Sequence, residues 1–170
     1  MNKQRRQRGA AVVEFAVLAV LLLVFLVGIF EFGFLWLQSN YIANAAREGA
    51  RVAAKIGGTS TTAVDQREDA AEVAVKDYLR PLFLYRDKVD SADYPDFIVT
   101  TYQRPEPTIS VTTGTETIQV PMAEVTVTVK THLVWDPVLW PLLSALIPGA
   151  DYDENFLRQL TQKASYAIQN

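Results

Sequence analysis

From Phe15 to Phe30 every residue is apolar or glycine, and after Glu31 the apolar character resumes through Phe32 to Leu37. As a helix rising 1.5 Å per residue, those roughly 23 residues are long enough to cross a hydrocarbon core of about 30 Å. Such a segment either anchors a chain or is removed as a signal, and its flanks bear on which. Lys3, Arg5, Arg6 and Arg8 all precede Gly9, and the next basic residue is Arg47. Basic residues are retained on the cytoplasmic side, so everything after Leu37 is expected to be sent across the membrane, with Trp36 and Tyr41 near the far interface. The chain thus divides into a basic leader (1–9), a transmembrane helix (10–37) and an extracytoplasmic part (38–170). The expected site is the inner (cytoplasmic) membrane, crossed once, with the N-terminus cytoplasmic.

Three readings of this N-terminus compete. A cleaved secretory signal has a shorter apolar run, about 7–15 residues, followed closely by a small-residue site. The nearest such site, Ala43–Ala45, lies well beyond the run and reads better as helix. A plain signal anchor accounts for the length and the basic flank but not for Glu14, a carboxylate at the edge of the apolar stretch. The third reading accounts for it. A basic leader ending in Gly9, then Ala10, Ala11, Val12, Val13, Glu14 and Phe15, is the arrangement that prepilin peptidases recognise, with the scissile bond between Gly9 and Ala10. Cleavage leaves an ammonium on Ala10 and the Glu14 carboxylate at the same end of one helix. Mutual neutralisation between adjacent subunits offsets the roughly 2.5–3.5 kcal/mol cost of a charge deep in the bilayer.

Downstream, residues 38–56 continue the helix until Gly57 and Gly58. Ala45, Gly49 and Ala53 recur every four residues, as do Ala46, Ala50 and Ala54, and such rows let another helix or a sheet approach closely. Arg47, Glu48 and Arg51 have two readings: a contact that seats the helix in a partner, or a solvated face with a Glu48–Arg51 pair worth about 0.2–0.5 kcal/mol. Glu31 likewise is either a residue snorkelling to the far interface or a buried contact with another helix.

With "RGAAVVEFAV", "GIFEFGFLW" and "NAAREGARVAAK" in this order, the sequence resembles the TadE-like minor pseudopilins of the tight-adherence (Flp) pilus system, most clearly over Gly9 to Lys55. The resemblance implies a structural, non-enzymatic role in assembling a type IV pilus, supporting adherence and biofilm formation. It implies a prepilin peptidase, other pilin-like subunits and pilus assembly proteins as partners, and no cofactor. It also carries over Gly9 and Ala10 as the cleavage site and Glu14 as the pilin-type glutamate. The alternative from another class is a membrane-anchored extracytoplasmic binding or sensor module that keeps its leader.

A second helix is expected from Thr62, which makes a capping-box spacing with Asp65, and Val64, Ala71, Val75 and Tyr78 would form its apolar stripe. From Asp96 the texture turns to strands: "FIVTTY", "TISVTT", a turn at Gly114, "TIQV" and "AEVTVTVKTHLV", with a last strand in "QLTQKASYAI". In the longest of these, Val125, Val127, Val129, Thr131 and Leu133 alternate with Thr126, Thr128, Lys130 and His132, the period of a half-buried antiparallel strand. The expected fold is α+β and pilin-like: a long N-terminal transmembrane and stalk helix, then a small antiparallel sheet domain with one further helix. The segment Val134–Gly149 is the most apolar outside the span, and two readings stay open: core packing, or a surface that meets the membrane or a partner.

Little points to chemistry. His132 is the single histidine and cysteine is absent, so neither a thiolate metal site nor a histidine pair can form. No phosphate-cradling glycine loop or nucleophile elbow occurs. The net charge of −3 offers no basic field for nucleic acid.

Overall fold

The computed structural model describes residues 3–135, 138 and 158–169, with side chains from residue 11 onward. The chain forms two compact units: Met1–Trp36 with Pro137–Asp153, and Leu37–Asp136 with Glu154–Asn170. Among the described residues the architecture is α+β, with two α-helices and four strands, and the helix α1 (Lys3–Ala53) enters both units.

In the second unit, α1 ends at Ala53, three residues short of the expected Ile56, and passes through a turn at Ala54 and Lys55 toward Gly58, whose φ of +97° lies in the left-handed region that glycine tolerates. The Gln169 N–H reaches back to the Ala54 carbonyl at 2.9 Å, satisfying one acceptor at the helix end. The helix α2 (Thr61–Leu79) starts earlier than its sequence signature suggests. Ser60 is the N-cap and its side chain accepts from the Ala63 N–H at 3.2 Å, while Asp65, the expected capping partner of Thr62, pairs with Arg104 at 2.9 Å. The apolar stripe is also displaced: Ala63, Arg67, Ala71, Val75 and Leu79 are buried, and Tyr78 faces outward. A strict four-residue row through Ala71 and Val75 reaches Leu79, the larger apolar gain, rather than the amphipathic tyrosine.

The strands β1 (Ile98–Tyr102), β2 (Thr108–Thr113), β3 (Glu116–Val129) and β4 (Leu160–Ala167) form one antiparallel system centred on β3. Two segments expected as separate strands, "TIQV" and "AEVTVTV", are one 14-residue strand. Its first half forms a hairpin with β2 (Ile109 opposite Val120, Val111 opposite Ile118), turning at Gly114 with φ of +69°. Its second half lies between β1 (Tyr102 opposite Val125) and β4 (Val129 opposite Leu160). The strand stops at Val129. Thr131–Leu133 is a short 3₁₀ turn, so His132 is not in the sheet, and its Nδ1 lies 2.9 Å from the Arg158 carbonyl. The parity holds through the break: Val125, Val127, Val129 and Thr131 are all buried.

The core lies between the inner sheet face and both helices. Ile42, Ala45, Ala46, Ala50 and Ala53 of α1 meet Ala71, Val75 and Leu79 of α2, Val125, Val127 and Val129 of β3, and the aromatic pair Tyr85 and Phe97. Those two rings pack edge to face with centroids 5.2 Å apart. The Tyr85 hydroxyl donates to Gln38 Oε1 at 2.8 Å, and Gln38 Nε2 is buried with no partner among the described residues.

Burial holds the Tyr85 phenol well above its ordinary value of 10. Burial, and then the hydrogen bond to Glu106, does the same for Tyr102. Raised folded-state values mean that this contribution to stability is fully present below about pH 10 and is lost as pH rises beyond it. Tyr85→Phe is therefore expected to unfold less steeply with alkali than the wild type, with Tyr102 supplying the remaining slope. At pH 7 the same variant should lose about 1–3 kcal/mol, because Gln38 Oε1 stays buried without its donor. Urea titrations between pH 7 and 11 measure both effects.

Candidate functional site: the long helix and the faces it presents

Within α1, backbone residues Gly9 and Ala10 are helical, and Glu14 follows one turn later with an exposed side chain. Between Ala11 and Leu23 every residue is exposed, a surface of valine, leucine, phenylalanine and alanine that water cannot solvate favourably. Among the described residues, α1 is the one helix long and apolar enough to cross a membrane, and none of its most apolar window is covered by protein.

Past Leu37 the same helix changes character. Ala45, Ala46, Gly49, Ala50 and Ala53 are buried in the chain's own core. Gly49 marks the closest approach: a Cβ there would lie 2.7 Å from Val75 Cγ2, 3.2 Å from the Ala71 carbonyl oxygen and 3.5 Å from Val125 Cγ1. The small-residue rows are thus used within the chain, against α2 and β3.

The opposite side carries the charges. Arg51 donates from Nε and Nη2 to the two Glu48 oxygens at 2.8 and 2.5 Å, and Arg47 Nη1 donates to Asn44 Oδ1 at 2.7 Å. The hydrogen bond from Arg51 holds the Glu48 carboxyl below its ordinary value, and Glu48 in turn raises Arg51. The structure therefore separates two sets of residues that are neighbours in sequence. Ala45 and Gly49 face inward, while Arg47 and Arg51 are exposed and Glu48 is half-buried. Glu31 belongs to neither set, being buried and accepting a hydrogen bond from the Val138 backbone N–H, 107 residues away.

Sequence reasoning missed Arg67. Its side chain is 1% exposed and its guanidinium serves three acceptors: the Ile56 carbonyl from Nε at 2.8 Å, Glu106 from Nη1 at 2.6 Å, and the Gly58 carbonyl from Nη2. The Tyr102 hydroxyl donates to the same Glu106 oxygen at 2.6 Å. One side chain thereby ties the α1–α2 turn to the loop joining β1 and β2. The clue was present in the sequence, a cation in register with Ala63, Ala71 and Val75 on the four-residue row.

No group of three or more His, Asp or Glu side chains among the described residues is placed to hold a metal ion. The arrangement is that of a small α+β domain whose core helix is continuous with an apolar anchor, which fits a single-pass membrane protein. Residues 9–51 match the family model described as TadE-like protein, and the chain is consistent with a TadE-like protein of the Tad (Flp) system, a family associated with pili in a structural capacity. The match spans about a quarter of the chain and stops at Arg51, within α1. No curated protein and no solved structure matches the chain.

Proposed function

We propose that the chain is a minor pseudopilin-like component that supports assembly of a tight-adherence pilus, and through it adherence and biofilm formation. On this reading a prepilin peptidase cuts between Gly9 and Ala10, and the mature protein stays anchored by residues 10–37 with its α+β domain on the far side of the membrane. The observation that carries the reading is the coincidence, on one helix, of the TadE-like match with an uncovered apolar surface that begins at Ala11, with Glu14 one turn after Ala10. An exposed apolar helix with a carboxylate at one end suits packing among like helices in a bilayer, where the new Ala10 ammonium of one subunit neutralises Glu14 of the next. Other pilin-like subunits and assembly proteins are the partners this implies. The face bearing Arg47, Glu48 and Arg51 is open to them, because the small-residue face is taken up by the chain's own core.

The expected result is that the protein extracted from membranes of a peptidase-containing strain has a mass lacking Met1–Gly9 and begins at Ala10. An intact leader in that strain overturns the pseudopilin reading and leaves a membrane-anchored binding or sensor module.

A further inference from the structure

We infer that the hairpin made by β2 and the first half of β3 docks a second copy of this chain, which adds its own β2 antiparallel to the free edge of β2 about a two-fold axis at Ser110. The inference goes beyond the pilus reading and does not rest on it, since every residue involved lies in the second compact unit.

The first observation is the direction of the hairpin's apolar side. Ile109 lies opposite Val120 and Val111 opposite Ile118, so the four share one face of the ribbon. Ile109, Val111 and Ile118 are 46%, 38% and 53% exposed. Along β3, Ile118 and Val120 have the parity of Glu124, Thr126 and Thr128, whereas Ala123, Val125, Val127 and Val129 enter the core. The apolar face of the hairpin is thus turned away from the chain's own core. Its other face is polar and stitched within the hairpin, with Gln119 Nε2 donating to Ser110 Oγ at 2.7 Å and the Thr112 and Thr117 hydroxyls 3.1 Å apart. A two-stranded ribbon is marginally stable in water on its own, and further strands are what stabilise it.

The second observation is the edge. Among the described residues β2 has β3 as its one neighbouring strand. Pro121, opposite Thr108, has no N–H and gives its carbonyl to the Ile168 N–H, while the Met122 N–H donates to the Pro107 carbonyl at 2.7 Å. By antiparallel alternation Ile109, Val111 and Thr113 exchange bonds with β3, and the N–H and C=O groups of Thr108, Ser110 and Thr112 point outward. Proteins guard such an edge with charge, proline or a covering element. In the same sheet β1 lies beside α2 and β4 carries Lys163. From Thr108 to Val120 there is no lysine, arginine, aspartate or proline, and Glu116 at the turn is the single charge.

What fits this edge is its own sequence. With Ser110 opposite Ser110 of the second copy, Thr108 falls opposite Thr112 of the second copy and Ile109 opposite Val111 of the second copy, and the reverse. Outward backbone groups then meet outward backbone groups, hydroxyl side chains meet hydroxyl side chains, apolar ones meet apolar ones, and no like charges face each other. Slipping the register by two residues sets Thr113 against Ile109 in one direction and Pro107 against Val111 in the other. The product is a four-stranded sheet in which the apolar faces of both hairpins run together.

The chain has no cysteine, so single cysteines report the register. Full-length Ile109→Cys and Val111→Cys chains, purified in dodecyl maltoside, are oxidised separately and as a mixture. In the inferred pairing these two positions form a non-hydrogen-bonded pair with Cα atoms about 4.5 Å apart, within disulfide reach, whereas each position and its own copy are offset by two residues and lie beyond it. The mixture is expected to give disulfide-linked dimer at several-fold the yield of either chain alone. Ser110→Pro in both chains should abolish that excess, because it removes an outward N–H and leaves the bonds to β3 in place. Gln119→Pro, which removes an N–H on the opposite edge of the hairpin, should leave the excess intact. Equal yields in the mixture and the single chains, or no dimer in any of them, overturn the inference. An excess that survives Ser110→Pro shows that the copies do not join by strand addition along β2, and its loss in Gln119→Pro as well traces the effect to the integrity of the hairpin; either result overturns the assignment to this edge.

Discussion

Gly49→Leu is expected to lower the melting temperature of the protein far more than any substitution on the exposed side of the same helix turn. The α1 backbone at Gly49 already sits so close to α2 that a single added carbon meets Val75 Cγ2 at 2.7 Å and the Ala71 carbonyl at 3.2 Å. A valine methyl yields by rotation or a small shift, but a backbone carbonyl moves only with its helix. Gly49→Ala should therefore cost about 1–3 kcal/mol, and leucine more, to the point of separating α1 from α2. For a unit of this size each kcal/mol corresponds to roughly 3–6 °C. Arg47→Ala, two residues away and exposed, should stay within about 0.5 kcal/mol. Thermal unfolding of the full chain in detergent, followed by circular dichroism, compares the three variants with the wild type. A wild-type melting curve for Gly49→Leu would mean that α1 does not pack against α2 and β3 in the folded protein. Loss of cross-linking to other subunits without loss of stability would make this face intermolecular.

The elements of the fold were legible where a single periodicity governs a long stretch. The apolar run admits only a helix, and the alternation expected from Val125 to Leu133 is a strand with one buried face as far as Val129, whereas the helix expected to run to Ile56 ends at Ala53, ahead of Gly57 and Gly58. Legibility failed where a local signal had a tertiary competitor. Thr62 and Asp65 have capping-box spacing, but Ser60 stands nearer the glycine turn and takes the cap, which frees Asp65 for Arg104. "TIQV" and "AEVTVTV" read as separate strands; Pro121 between them is accommodated inside β3, where the neighbouring strand changes and its carbonyl accepts from the Ile168 N–H at 2.9 Å. The direction of the small-residue rows was likewise closed to sequence, since alanine and glycine invite close approach without naming the partner. Only the position of Val75 and Val125 against Gly49 decides it. The interior of the apolar stretch after Trp135 lies outside the described residues, and Val138 alone reports on it.

The second large effect is expected from Arg67→Met, which keeps most of the side-chain length and removes every donor. Three acceptors then lose their partner at once: the carbonyls of Ile56 and Gly58, and Glu106, whose side chain is only 15% exposed. Removing one member of a buried ion pair typically costs about 3–5 kcal/mol, chiefly because the remaining charge is left uncompensated. That origin makes the cost separable. In the double variant Arg67→Met, Glu106→Gln the stranded charge is gone while the amide oxygen still accepts from the Tyr102 hydroxyl, so a substantial part of the loss should be recovered. Arg67→Lys should fall between wild type and methionine, because an ammonium on a flexible stem keeps the charge near Glu106 but cannot address three acceptors in fixed fork geometry. Urea unfolding of these four proteins and of Glu106→Gln alone at pH 7 supplies the comparison. If the double variant is as unstable as the two losses added together, Glu106 is not paired with Arg67 in solution. If Arg67→Met unfolds like the wild type, the turn between α1 and α2 is held by the caps at Ser60 and Gln169 alone, and the buried cation has no role in closing the domain.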